Sequence, residues 1–120
     1  MTETIKNDDY IFNYISNKSI KNIMTDEIKY LFSDKRKICM VKTDNEKIEF
    51  YGKLSDIEAD LNKVPFVRTH QSYLVNYYLI RSRTKIEITL VNGKKLPISE
   101  ERQKYFNQQY SHLLGGEINV

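Results

Sequence analysis

The sequence predicts a single, mostly β domain with one or two helices. The clearest sign is a pair of alternating apolar stretches on either side of Asn92-Gly93, a dipeptide typical of the two-residue turn of a β-hairpin. Helical periodicity is clear in only two places, after Gly52 and after Pro97. A chain of 120 residues is long enough for one modest hydrophobic core and too short for two.

The composition is that of an ordinary folded protein, with 40% hydrophobic and 29% charged residues. The single cysteine, Cys39, excludes an internal disulfide, and with only two histidines a Cys/His zinc site is not expected. No cofactor is predicted. The N-terminus lacks a secretory signal, and no stretch approaches the roughly 18 apolar residues of a membrane helix. These features predict a protein of the reducing cytoplasm with no membrane contact.

Charge is distributed unevenly along the chain, although the net charge is only +3. Residues 1–60 hold 10 Lys or Arg and 12 Asp or Glu, giving −2. Residues 61–120 hold 9 and 4, giving +5. A basic half of this kind favours a polyanionic partner.

The first half of the chain is predicted to consist mainly of strands. Residues 1–9 are polar and expected to be frayed, and the apolar runs that follow are too short for helices. The segments 37–43 and 46–52 flank Asp44-Asn45 and predict a hairpin with a short loop. Apolar residues occupy both faces of its first strand, so both faces are expected to be partly covered.

Residues 53–64 predict a helix. Ser55 and Glu58 have the spacing of a capping box, and Pro65 is expected to end the helix. One face is apolar and is formed by Ile57, Leu61 and Val64.

The C-terminal third predicts a hairpin followed by a second helix. The alternating residues of the hairpin are Ile86, Ile88 and Leu90 before the turn and Leu96 and Ile98 after it. Pro97 cannot donate to a strand ladder, so the returning strand is expected at a sheet edge. Ser99 is expected to cap a helix that carries Glu100 and Glu101 in its first turn. The apolar face of this helix would be Phe106, Tyr110, Leu113 and Leu114, and Gly115-Gly116 would end it.

Between the two predicted helices lies the stretch Phe66 to Asn76, which places short polar side chains among apolar ones. We expect a partly buried loop that forms a recognition surface or an active site. The polar residues are Arg68, His70, Gln71, Ser72 and Asn76. The alternative is purely structural, because these groups could hydrogen-bond one another and the nearby backbone.

This stretch, FVRTHQSYLVN, together with the downstream KIEITLVNGKKLPISEER, resembles the LytTR family of bacterial DNA-binding domains. The resemblance runs from about residue 17 to residue 114. It implies an elongated stack of small antiparallel sheets that reads DNA through loops and a strand edge. Residues 1–16 would then be a partly disordered N-terminal extension and residues 115–120 a C-terminal tail.

In the LytTR family, base contacts come from three places, and matching the motifs puts them at Lys37, Gln71 and Glu100. Glutamine suits adenine and lysine suits guanine. Glu100 departs from the arginine that often follows the helix-opening serine, and the nearest arginine is Arg102. With phosphate-binding groups included, the predicted DNA-binding set is Arg36, Lys37, Arg68, His70, Gln71, Ser72, Asn76, Arg81, Arg83, Glu100 and Arg102.

The resemblance implies a bacterial transcription regulator that binds double-stranded promoter DNA in the major groove. In the family, two domains commonly occupy direct-repeat half-sites, so a homodimer on DNA or pairing with a related regulator is expected. Most relatives also carry a receiver domain, for which residues 1–16 leave no room. The chain is therefore expected to be a stand-alone regulator or a fragment.

Two other functions are alternatives to DNA binding. Catalysis is not expected, because His70 and Ser72 have neither an oxyanion donor nor a convergent carboxylate near them in sequence. The second is a protein-interaction module that has kept the fold, has weakened its DNA contact and pairs with a related regulator. Glu100 is the residue that favours it.

Overall fold

A computed structural model of the protein describes residues 10–61 and 64–113, and of residues 106, 107 and 109–113 it describes the backbone alone. The strands are β1 Ile11–Ser16, β2 Ser19–Met24, β3 Ile28–Asp34, β4 Lys37–Lys42, β5 Lys47–Tyr51, β6 Phe66–His70, β7 Tyr73–Asn76, β8 Ile80–Arg83, β9 Glu87–Leu90 and β10 Lys95–Pro97. The helices are α1 Leu54–Asp60 and α2 Glu100–Leu113, and two short 3-10 turns cover Thr25–Glu27 and Tyr77–Leu79. The predicted mostly β fold is confirmed.

The strands form several small sheets in which every pairing between described strands is antiparallel, as expected. A two-stranded sheet contains β1 and β2, a five-stranded sheet has the order β5-β4-β3-β7-β6, and a three-stranded sheet has the order β10-β9-β8. Strand β4 lies inside the five-stranded sheet, and apolar side chains cover both of its faces. The predicted coverage of both faces is therefore confirmed.

The alternation of side chains along β4 divides the core into two clusters. Ile38 and Met40 belong to a cluster formed with the β1–β2 hairpin and α1. Cys39 and Val41 belong to the other, formed with β9 and β10 of the three-stranded sheet. Because successive side chains of a strand point to opposite faces, this single strand supports both layers.

The first strand corrects the predicted N-terminal extension. Phe12 and Tyr14 on β1 are buried, and their rings lie 6.0 and 5.1 Å from the ring of Phe50. Residues 11–16 are therefore part of the folded domain, because their aromatic side chains complete a core that the five-stranded sheet leaves open. The fraying expected for residues 1–9 lies outside the described part of the chain.

Helix α1 forms where the periodicity predicts it, but its start differs from the prediction. The helix begins at Leu54, whose burial fixes the first turn, so Ser55 lies inside the helix and makes no capping hydrogen bond. The proposed capping box is therefore wrong, and the Glu58 carboxylate binds an arginine instead. The helix ends at Asp60, before Pro65. Ile57, Leu61 and Val64 are all buried as predicted, but only Ile57 lies on the helix, and the other two follow its end.

The stretch 66–76 was expected to be a loop, and this expectation is wrong. It forms the hairpin of β6 and β7, with a turn at residues 71–72. Both faces of β6 are covered, since Phe66 belongs to one core cluster and Val67 to the other. In a strand with one exposed face, apolar and polar residues alternate. This stretch lacks that alternation, which is why its sequence was interpreted as a loop.

The C-terminal hairpin is confirmed, with Gly93 at a φ of 91° in its turn. Pro97 lies on β10 at a sheet edge, as predicted. Ile86 precedes β9 and is 66% exposed, which corrects its expected inward position.

Helix α2 begins immediately after Ser99, as predicted. The Ser99 hydroxyl, however, is buried and makes no hydrogen bond within the described residues, so the predicted side-chain cap is wrong. The backbone oxygen of Ser99 instead accepts from the Arg102 N–H at 3.0 Å. The apolar-face side chains proposed for this helix and its Gly115-Gly116 end lie outside the described part of the chain. Neither helix, over its described length, is long and apolar enough to cross a membrane.

Candidate nucleic-acid interface

Two turns emerge at the same end of the five-stranded sheet. Strand β3 lies antiparallel to β7, and beyond the pair Phe32 and Tyr73 the Ser33 N–H donates to the Ser72 oxygen at 3.0 Å. The β3–β4 turn, near residues 34–37, therefore lies beside the β6–β7 turn at residues 71–72. We call residues 34–37, 70–72 and 99–102 the turn end.

The start of α2 belongs to the turn end because of one backbone hydrogen bond. The Ser99 N–H donates to the oxygen of Thr69, which is fully buried on β6, at 2.9 Å. The three positions matched to family base contacts therefore come from three segments that are tied to one another: Lys37, Gln71 and Glu100. All three residues are exposed.

The β3–β4 turn presents consecutive cations. Lys35 has a φ of 62° in the left-handed region, and Arg36 in the turn and Lys37 at the start of β4 are both exposed. The Arg36 oxygen accepts from the Gly52 N–H at 3.1 Å, which ties the turn to the end of β5. A groove of about 340 Å³ opens here, lined by Asp34, Lys35, Arg36, Lys37 and Tyr51.

Tyr51 was missed by the sequence analysis. Its side chain is 74% exposed, and the Lys37 amine lies 5.8 Å from its ring centre, within the range of a cation–π contact. The two residues face each other across β4 and β5, so the hairpin register could have revealed the pair. Asn17 also approaches this region, because it lines a neighbouring groove together with Lys37 and Tyr51.

Arg68 was expected to contact DNA, but in the structure its side chain lies inside the domain. The residue is 7% exposed, and its hydrogen bonds to other described residues are all internal. Nη1 bonds the Glu58 carboxylate at 2.6 Å, Nε donates to the His70 oxygen at 3.0 Å and Nη2 donates to the Gln71 oxygen at 2.6 Å. The guanidinium therefore binds the backbone of the β6–β7 turn from the inside of the domain.

His70 also organises this turn. Its Nδ1 accepts from the Ser72 N–H at 3.0 Å, so the ring proton of the neutral imidazole lies on Nε2. The ring contacts Tyr73 edge-on, with 5.8 Å between ring centres. His70 and Ser72 are half-buried, whereas Gln71 between them is exposed. The turn thus presents Gln71 on a locally bonded backbone.

Asn76 was also expected to contact DNA, but in the structure its side chain faces the interior. It lies at the end of β7 away from the turn and is 5% exposed. Its Nδ2 donates to the Ile28 oxygen and its Oδ1 accepts from the Tyr78 N–H, both at 3.0 Å. Both halves of the amide serve the fold, as the structural alternative required.

The remaining predicted residues lie on β8 and on the first turn of α2. Arg81 is exposed at an irregularity of the β8–β9 ladder, and Arg83 is half-buried opposite Ile88. Glu100 is exposed, and the Arg102 guanidinium lies 5.4 Å from the ring centre of Tyr105. The described residues include no group of three His, Cys, Asp or Glu that could hold a metal ion.

Stacked antiparallel sheets with exposed cations at one end are features of a DNA-binding β domain. The family model of the LytTr DNA-binding domain matches residues 18–111. The chain therefore belongs to the LytTR family of DNA-binding domains.

The similar proteins agree with this assignment. The chain is 27% identical over 85 residues to the sensory transduction protein LytT of Enterococcus faecalis, covering 67% of this chain and 35% of that protein. It is 30% identical over 76 residues to the transcriptional regulatory protein NatR of Bacillus subtilis, covering 58% and 33%. The chain thus spans about a third of the length of these relatives.

A solved LytTr DNA-binding domain from Bacillus cereus has the same fold. It superposes with a TM-score of 0.71 at 19% identity, covering 84% of this chain and 96% of that one.

Proposed function

We propose that this domain binds double-stranded DNA sequence-specifically as part of a bacterial transcription regulator, and that the turn end enters the major groove. The observation that carries the proposal is the convergence of Lys37, Gln71 and Glu100 through two backbone hydrogen bonds, Ser33 N to Ser72 O and Ser99 N to Thr69 O. Three separate segments can then address one DNA surface without a recognition helix.

The exposed residues divide into two groups by chemistry. Gln71, at the tip of its turn, can pair with adenine, and Lys37 can reach guanine. Lys35, Arg36 and Arg81 are cations suited to phosphates, which set affinity and register but do not carry sequence information. Tyr51 supports this division, because its contact with Lys37 restrains an otherwise flexible amine.

A lysine pair at opposite ends of one hairpin tests the surface. Lys37 and Lys47 are both exposed on the β4–β5 ladder, Lys37 opposite Tyr51 and Lys47 opposite Val41. A lysine that reaches guanine also neutralises a phosphate beside it, so we expect Lys37→Ala to lower the slope of log affinity against log salt by about 0.9. Lys47→Ala should leave the slope unchanged. Equal slopes for both variants and the wild type would place the interface elsewhere.

A selection experiment can identify the binding site. Duplexes selected by the wild-type domain from a random pool should converge on a sequence with a repeated element. Fluorescence anisotropy across a salt series then measures the affinity for the selected duplex. We propose two copies of the domain on direct-repeat half-sites. Half-sites on the same face of DNA lie about 10–10.5 base pairs apart, or a multiple of that, so the selected spacing and the sedimentation mass of the complex test the arrangement.

A second function is favoured by one observation. Glu100 and Glu101 are both exposed at the start of α2, where the matched contact would meet DNA. Carboxylates repel phosphates, so a protein-interaction module that pairs with a related regulator would fit this feature. Such a module should show no salt-sensitive binding to random duplex at low salt, whereas a DNA-binding domain should show it.

A further inference from the structure

We propose that Arg68 and Glu58 form a positioning pair that sets the β6–β7 turn so that Gln71 meets its base. This inference rests on the proposed function and adds a specificity role for two residues that are bound to each other behind the turn. Arg68 is buried, and Glu58 lies on α1, where 28% of its side chain is exposed. Both act through Gln71.

The contacts of Arg68 are directed at the turn rather than at the core. Of its three hydrogen bonds, one holds the Glu58 carboxylate and two hold backbone oxygens of consecutive turn residues, His70 and Gln71. Two carbonyl contacts from one planar guanidinium fix the orientation of both peptide planes. These are the peptides on either side of the Gln71 Cα, so their orientation sets the direction of the Gln71 side chain.

The strand is irregular at the same place. The β6–β7 ladder pairs Arg68 with Leu74 and then His70 with Tyr73, so one extra residue lies on β6 between the two pairs. A bulge of this kind redirects the side chains that follow it. Gln71 comes immediately after the pair His70 and Tyr73, so the direction of its side chain depends on the groups that hold the bulged backbone.

Glu58 keeps this arrangement neutral. A buried guanidinium without a carboxylate would be strongly disfavoured, and the Nη1 to Oε1 distance of 2.6 Å indicates a short, charge-assisted hydrogen bond. The carboxylate also holds the fork in place, so that Nε and Nη2 remain aimed at the two turn oxygens. Helix α1 is thereby connected to the DNA-facing turn.

A double-mutant cycle between Arg68 and Gln71 tests the pair. Arg68→Lys keeps the charge but loses the planar fork, and Gln71→Ala removes the base-reading amide. Each variant should bind the duplex selected by the wild type about tenfold more weakly, the scale of one lost base contact. The double variant should lose no more than about twofold beyond either single one, because both changes remove the same contact. Binding to a scrambled duplex should change by less than about twofold.

Two further variants separate positioning from folding. Ile57→Val trims the buried core of α1 without touching Arg68, and its affinity for the selected duplex should equal that of the wild type. Glu58→Gln keeps an oxygen for Nη1 but removes the charge. It should show the same coupling to Gln71, and it replaces Arg68→Lys in the cycle if that variant does not fold. Thermal melting of every variant establishes that the domain is folded at the assay temperature.

The outcomes distinguish this inference from the proposed function. If the wild-type protein shows no salt-sensitive DNA binding, both the proposed function and the positioning pair are wrong. Salt-sensitive wild-type binding with fully additive losses at Arg68 and Gln71, or equal losses on selected and scrambled duplexes, would overturn the positioning pair alone. Non-additive loss confined to the selected duplex supports it.

Discussion

The backbone N–H of Ser99 donates to the oxygen of Thr69 at 2.9 Å, and this bond joins the start of α2 to the strand that carries the Gln71 turn. Thr69 is fully buried, so water does not compete for this oxygen. Substitutions at Glu100 and Gln71 therefore affect two neighbouring parts of one fixed surface.

Arg81→Ala should lower the salt dependence of DNA binding. Arg81 is exposed at the irregular position of β8, and loss of one phosphate contact lowers the log–log slope by about 0.9. The measurement is affinity for random duplex from low to physiological salt. Arg83→Ala is less informative, because that side chain is half-buried and its loss also disturbs the fold. An unchanged slope in Arg81→Ala would remove Arg81 from the interface.

Asn76→Ala should destabilise the domain without changing its DNA affinity. The substitution leaves the Ile28 oxygen and the Tyr78 N–H without their side-chain partner, which costs about 1–3 kcal/mol for a buried group. Urea denaturation measures the loss in free energy of unfolding. A large loss of affinity in protein that remains as stable as the wild type would restore Asn76 to the interface.

Cys39 should be slow to alkylate in the folded domain. Burial raises the pKa of its thiol, and the nearby Glu49 carboxylate raises it further. Because the thiolate is the reactive form, native protein at mildly alkaline pH should react with iodoacetamide at least about tenfold more slowly than denatured protein. Mass spectrometry follows the reaction cleanly, since Cys39 is the single cysteine. Equal rates would show that the strand opens readily.

Local signals in the sequence predicted the elements well. The Asn92-Gly93 turn and the edge position of Pro97 are properties of a few neighbouring residues, and the structure has them where expected. Burial on both faces was predicted for β4 but not for β6. Strand β6 has no alternation because both its sides are covered, so Arg68 could not be assigned an inward direction from residue type alone.

The candidate site divides in the same way. Gln71 and Lys37 are exposed because they lie at or beside turns, which the sequence pattern locates. The inward position of Arg68 depends on Glu58, which is ten residues away and on another element. Predicting the contact of Tyr51 with Lys37 requires the register between β4 and β5. Partners fixed by tertiary packing are therefore the part that a single sequence does not give.

Glu100 gives the most direct test of the third contact. A carboxylate at the first turn of a helix is stabilised by the helix dipole by about 0.3–1 kcal/mol, but one facing phosphates is repelled. The base edge it could favour is the cytosine N4 donor, whereas arginine would seek guanine O6 and N7.

We expect Glu100→Arg to bind random duplex more tightly, to steepen the salt dependence by about one phosphate contact, and to lose about 0.3–1 kcal/mol of stability. Glu27→Arg is the charge-matched control, because Glu27 is exposed at the far end of the five-stranded sheet, where its oxygen accepts from Thr43 N–H. That variant should change affinity much less, since its added charge lies away from the turn end. If Glu100→Arg and Glu100→Ala both bind as the wild type does, residue 100 does not face DNA, and the base contacts come from the two turns alone.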